Sequence, residues 1–323
     1  VGNLGSRHLQ GLAKSRNILA IECFEPNKSN IDQALERFKE IGVNPNITLK
    51  FVDNMESLSD NIDIAIIATN SDIRATVVKE LLNNKNVKNL ILEKVLFQDI
   101  PSYTEIEDLV LEKGVNVWVN HPRRIFDIHK PFLSEIRKSK KLAFQVSGIN
   151  WGLGSNGLHF LDLLVWLTHT EDKEIEIEWN KMGRSVSQSK RPKFKEVFGT
   201  VSGVIDNNIS FSVTSLAPID NEMQPPTITI VSESIKLFVD EYNGVVNYAY
   251  GNDGWKWHTL DGSFPLLFQS QMTATVVDQI LEDGSCILPT YKSAKSLHVP
   301  FIQAIKKGIE EIEGKELLNC PIS

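Results

Sequence analysis

Residues 1–10 read VGNLGSRHLQ, with Gly2 and Gly5 three apart and followed at once by residues suited to a helix. A Gly-rich turn that opens a helix lets the backbone approach a pyrophosphate. The helix N-terminus adds N–H donors and a partial positive charge. Gly2, Asn3, Leu4 and Gly5 fit the back half of G-x-G-x-x-G, although such a spacing alone also suits an ordinary turn. The next apolar stretch, NILAIECFEP, ends near Glu25, which lies 20 residues beyond Gly5. That is the offset of the acid that binds a ribose 2′-hydroxyl in dinucleotide folds. An acid there repels a 2′-phosphate, so NAD is expected rather than NADP.

Working outward, helical and strand signals alternate through the first third of the chain. Ser6–Lys14 suits a short helix. Ser29 caps a second, with Ile31, Leu35, Phe38 and Ile41 on one face and Gly42 closing it. ITLKFVD reads as a strand, and DIAIIATN, which ends on Thr69 and Asn70, is a continuous apolar run of the kind buried on both faces of a parallel sheet. Ala75–Leu82 is helical and NLILEKVLF is strand again. Ser102 with Glu105 forms a capping box before another helix, and VNVWVNH closes the series. Short connections between alternating elements imply βαβ units, so residues 1–122 are expected to form a doubly wound, parallel Rossmann domain of the α/β class. A doubly wound sheet starts with a central strand. The native chain is therefore expected to extend about ten residues upstream of Val1, ending in an apolar strand and the first Gly of the turn.

Beyond residue 122 the periodicity falls to two. LAFQVSGINW, EIEIEWNKM, GTVSGVI, ISFSVTSL, TITIVS and IKLFVD alternate between turn-like segments, and two helices close the chain near 270–282 and 293–313. Residues 123–323 are expected to be an α+β domain on a large, mostly antiparallel sheet. The net charge of −7 argues against a broad nucleic-acid or anionic-membrane surface. Cys23, Cys286 and Cys320 lack C-x-x-C spacing and the seven histidines lack ligand spacing, so neither a disulfide framework nor a zinc site is expected. The most apolar helical stretch, LHFLDLLVWL, is too short and too polar to span a bilayer. A cytoplasmic protein follows.

Two clusters invite chemistry. Glu93 and Lys94 sit at the C-terminal end of an apolar strand, the edge where parallel sheets bind ligands; alone they read better as a solvated strand-end ion pair. In SNGLHFLDLLVWL, Asn156 begins a helix, and His159 and Asp162 are its only titratable residues through Leu167. Three apart, they share a face, as a satisfied core pair or as a proton shuttle.

At this point GNLGSRHL, EKV, SNGLHFLDLLVWL and DGSCILPTYKSAKSLHVPFIQAI together resemble the Gfo/Idh/MocA family of sugar-related oxidoreductases, in order and spacing across essentially the whole chain. The resemblance implies hydride transfer between nicotinamide and a ring carbon of a sugar, cyclitol or sugar nucleotide. Lys94 and His159 then correspond to the catalytic lysine and histidine. Thr69, Asn70 and Glu93 join Gly2–Gly5 and Glu25 at the cofactor. Arg123, Arg124 and Asn156 face the substrate, although the arginines read equally as a solvated link. The resemblance also implies a homodimer or homotetramer. Two departures stand out: Val95 where the family has Pro, expected to loosen the backbone that aims Lys94, and Ser155 where many members have an Asp. The rival expectations are a reductase of a non-sugar substrate and a cofactor-binding scaffold without turnover.

Overall fold

The computed structural model describes residues 1–42, 44–220 and 222–323. In chain order the elements are α1 (Asn3–Leu12), β1 (Leu19–Phe24), α2 (Lys28–Lys39), β2 (Ile47–Val52), β3 (Asn61–Ile67), α3 (Arg74–Asn84), β4 (Asn86–Leu92), α4 (Ile100–Lys113) and β5 (Asn116–Val119). There follow α5 (Leu133–Lys138), β6 (Leu142–Ile149), α6 (Leu153–Thr168), β7 (Ile175–Trp179), β8 (Ser185–Gln188), β9 (Lys195–Ile205), β10 (Ile209–Leu216), β11 (Gln224–Ser232), β12 (Ile235–Asp240), β13 (Val245–Tyr250), β14 (His258–Thr259), α7 (Gln269–Asp283) and α8 (Tyr291–Glu313). No helix is long and apolar enough to cross a membrane among the described residues. The chain forms two compact units: Val1–Ile125 with Leu267–Tyr291, and Phe126–Leu266 with Lys292–Ser323.

The first unit is built on parallel strands in two pieces, β2-β1 and β3-β4-β5. The helix caps differ from the local reading. Asn27, not Ser29, starts α2, its Oδ1 accepting the Ser29 N–H at 2.9 Å. Asp99, not Ser102, starts α4, accepting the Ser102 N–H at 2.8 Å and its hydroxyl at 2.9 Å. In both cases the residue with the shorter route to an N-terminal N–H sits upstream of the residue that the pattern favoured. The boundary expected at residue 122 lies at Ile125, and residues 267–291 return to this unit. The reason is apolar packing: Val276, Val277 and Ile280 of α7 bury against Ile91 and Trp118. Gly11 makes a second approach possible, since a Cβ there would lie 2.9 Å from that of Thr273 on α7.

The second unit carries a mixed, mostly antiparallel sheet in the order β14-β13-β12-β11-β6-β10-β9-β7, with β8 added to β9 and β6 parallel to β10. Alternation along β10 buries Phe211, Val213 and Ser215 and turns Ser210, Ser212 and Thr214 the other way. On the buried face lies α6, apolar nearly all round, with Leu158, Phe160, Leu161, Leu163 and Leu164 fully buried. Gly308 in the interior of α8 serves close packing: a Cβ would meet the Trp179 ring at 2.1 Å.

Candidate active site

At the dinucleotide end, Gly2 opens α1, and no side chain caps it. Asn3, Leu4 and Gly5 form its first turn, with the Ser6 N–H returning to Gly2 O at 2.9 Å. A Cβ on Gly2 would meet only Asn30 Nδ2, at 4.0 Å, so the approach to this turn is open. Glu25, directly beyond β1, is buried and accepts the Asn27 N–H at 3.0 Å. Thr69 and Asn70 follow β3. Thr69 Oγ1 is buried with no hydrogen-bond partner among the described residues. An uncapped helix N-terminus, an open Gly turn and an orphaned buried hydroxyl fit an NAD(P) dinucleotide, whose pyrophosphate needs N–H donors. Arg37 of α2, unforeseen from sequence, donates to Asn3 O at 2.9 Å and to Asn3 Oδ1 at 3.0 Å, tying α2 to that turn.

Glu93 and Lys94 directly follow β4, with the Glu93 N–H on Ile67 O at 3.1 Å. The two side chains have different surroundings. Glu93 is enclosed: its Oε1 accepts from Asn120 Nδ2 at 2.5 Å and pairs with His8 Nε2 at 2.8 Å. His8 Nδ1 meets Thr273 Oγ1 at 3.0 Å, Gln269 Nε2 donates to Thr273 Oγ1 at 2.9 Å, and Asn120 Nδ2 donates to Gln269 Oε1 at 2.8 Å. The five side chains close a ring. Burial pushes the Glu93 carboxyl up, but the His8 hydrogen bond, the charges of His8 and Lys94, and Asn120 outweigh it, so the carboxyl lies below its usual range.

Lys94 is half-buried and its peptide to Val95 is cis. The turn beyond it is held in place, contrary to the loosening expected at Val95. Val95, Leu96 and Phe97 are fully buried. The buried Arg74 guanidinium donates to Val95 O, to Leu96 O at 2.9 Å and to Thr69 O. Tyr103 Oη donates to Phe97 O at 3.1 Å. Arg74 thus joins the Thr69 and Lys94 segments. A cation at the first position of a helix opposes the helix dipole, and that was the one sequence signal for its role.

Behind them, His121 is fully buried and its imidazole is pushed down to about 3, first by burial and then by the Arg124 and Lys94 cations. Arg124 is buried and Arg123 half-buried, both in a single 3-10 turn, Pro122–Ile125.

In the second unit α6 begins at Leu153, earlier than the Asn156 start expected, because Gly152 enters it in the left-handed region at φ 84°. His159 therefore lies in the second turn, buried along with Asp162. Asn156 Nδ2 donates to Trp151 O at 2.9 Å. Glu196 of β9, far away in sequence, accepts the Gly154 N–H at 2.8 Å.

Residues 1–121 match the Gfo/Idh/MocA model, described as the oxidoreductase family with an NAD-binding Rossmann fold. No curated protein matches the chain. Among solved structures, levoglucosan dehydrogenase in complex with NADH superposes with a TM-score of 0.69 at 15% identity, covering 100% of this chain and 97% of its own. UDP-N-acetylglucosamine 3-dehydrogenase GnnA from Acidithiobacillus ferrooxidans gives 0.67 at 12%, covering 94% of each. Biliverdin reductase from Synechocystis sp. PCC 6803, with biliverdin and NADP+, gives 0.68 at 13%, covering 94% and 95%. At such identities the likeness carries the fold alone: a parallel Rossmann-type sheet followed by a mixed, mostly antiparallel sheet, along nearly the whole chain.

Proposed function

We propose that the protein is an NAD-dependent oxidoreductase that moves hydride between nicotinamide C4 and a CH–OH carbon of a sugar, cyclitol or sugar nucleotide. The observation that carries this reading is Lys94: an amine at the C-terminal edge of β4, on a turn clamped by Arg74 and Tyr103, in a domain of an NAD-binding family. When bound, the dinucleotide accepts or delivers the hydride. In the oxidative direction Lys94 Nζ takes the proton of the substrate hydroxyl. His159 holds a substrate hydroxyl by its imidazole. Asn156, whose amide N–H is given to Trp151, contributes Oδ1. Arg123 and Arg124 take a phosphate or carboxylate of the substrate by paired N–H bonds. The Gly2–Gly5 turn and Thr69 and Asn70 hold the dinucleotide, and Glu25 accepts from its ribose, which favours NAD. Glu93 supports the cofactor side from within its ring. A cytoplasmic homodimer or homotetramer belongs to the same reading.

Fluorescence titration with NADH and NADPH, followed by a turnover screen with D-glucose, myo-inositol, levoglucosan, UDP-N-acetylglucosamine and biliverdin, tests it. Micromolar NADH affinity, weaker NADPH affinity and NAD+-linked oxidation of a sugar or cyclitol are expected. Binding of neither dinucleotide would sink the reading. Turnover of biliverdin alone would replace the sugar by a non-sugar substrate.

A further inference from the structure

Two turns stand side by side at the C-terminal edge of the sheet in the first unit. β3 and β4 are parallel neighbours, with Ile67 opposite Leu92, so the segments that carry Thr69 and Lys94 leave the sheet together. Arg74 is tied to both. Its backbone N–H returns to Asn70 O at 3.1 Å, which fixes the start of α3 to the first segment. Its buried guanidinium donates to Thr69 O in that segment, and to Val95 O and Leu96 O in the second. A guanidinium is flat and its donors lie in a rigid fork, so these carbonyls keep fixed places relative to one another. Breaking such a bond in the interior leaves a polar group unpaired, a cost that resists independent movement of the two turns. Thr69 also carries the buried hydroxyl whose Oγ1 has no hydrogen-bond partner among the described residues. A ligand group that bonds this hydroxyl acts on the very residue whose carbonyl Arg74 holds.

We propose that Arg74 is a positioning residue that couples the dinucleotide to Lys94: binding at Thr69 sets the Thr69 carbonyl, and the shared guanidinium sets the turn that aims the amine. The inference rests on the oxidoreductase reading and adds a route by which one part of the site responds to the other. The route runs through backbone, since Arg74 reaches main-chain carbonyls in both segments. Lysine at this position would keep the charge but not the fork, because an ammonium on a flexible stem has no fixed geometry of this kind. The coupling is therefore separable from the charge.

The test reads Lys94 itself. Lysines are reductively methylated with carbon-13 formaldehyde, and the Lys94 NMR signal is assigned by its loss in Lys94→Ala. Wild type and Arg74→Lys are then titrated with ADP-ribose, a probe that lacks the nicotinamide ring. In wild type the Lys94 signal is expected to move as the probe saturates. In Arg74→Lys the response is expected to be lost, while ADP-ribose binding weakens by no more than about tenfold. With whichever of D-glucose, myo-inositol and UDP-N-acetylglucosamine turns over, Arg74→Lys is expected to lower kcat by about tenfold or more. The same substitution should add less than about twofold in a Lys94→Ala background, because its effect runs through the lysine. An equal Lys94 response in both proteins would overturn the coupling, as would an unmoved signal in wild type that binds ADP-ribose; the oxidoreductase reading would stand in either case. An equal further loss of kcat in the Lys94→Ala background would leave Arg74 a structural residue only. Wild type that binds neither ADP-ribose nor NADH would sink the oxidoreductase reading and the inference with it. If Arg74→Lys does not fold, Arg74→Gln, which keeps an amide donor and adds no amine, is read against the same outcomes.

Discussion

Glu93 and Glu196 are two carboxylates at two candidate sites, and the fold treats them in opposite ways. Glu93 is adjacent to Lys94 in sequence, yet its carboxylate is enclosed in a ring with His8, Asn120, Gln269 and Thr273. Glu196 is remote from His159 in sequence, yet its carboxylate lies half-buried against the turn that precedes His159. Sequence proximity marked the acid that holds structure together, and tertiary structure alone brought the other to the helix. Glu93 is fully buried inside its ring, whereas Glu196 is half-buried and caps the first turn of α6.

The sharpest way to break this comparison is at the amine beside the enclosed acid. Lys94→Ala is expected to lower kcat by about a thousandfold, within the range for a positioned acid–base group, with NADH affinity kept. Turnover within tenfold of wild type would remove the lysine from the chemistry.

The next largest effect falls on stability. Glu93→Ala breaks a buried pair and leaves His8 and Asn120 unsatisfied, at about 3–5 kcal/mol. Glu196→Gln, in contrast, is expected to stay within about 1 kcal/mol of wild type. Urea unfolding of both variants reads the difference directly, and equal losses would contradict the contrast between the two acids.

A pH effect follows from His121. Its folded pKa, about 3, lies below the ordinary imidazole value, so the unfolded chain binds the extra proton. Stability is therefore full above about pH 6.5 and falls as the pH drops toward 3, by up to about 1.4 kcal/mol per pH unit. His121→Phe is expected to flatten that limb in melting curves taken between pH 7 and pH 4. An unchanged limb would assign the acid sensitivity to other groups.

The smallest expected change is at the α2 cap. Asn27→Ala should cost about 1 kcal/mol, while Ser29→Ala should cost less, since Ser29 contributes its backbone N–H and not its hydroxyl to the cap. The reverse order would restore the sequence-based assignment.

Much of this protein was legible without coordinates. Continuous apolar runs at β3 and β4, period-two alternation at β10 and β12 and the largely apolar α6 are statements about which faces are dry, and a chain records those locally. The Gly2–Gly5 turn and the placement of Glu25 and Lys94 at strand ends came from the same local record. Other features depend on residues far apart in the chain. Arg74 reaches the Val95 and Leu96 carbonyls. His8 meets Glu93 and Thr273. Residues 267–291 return to the first unit, and Glu196 arrives at α6. Hydrophobic period and turn chemistry act over a few residues and so determined the elements and their class. Hydrogen-bond partners across long loops have no such period, and only the packed structure decided which polar groups meet.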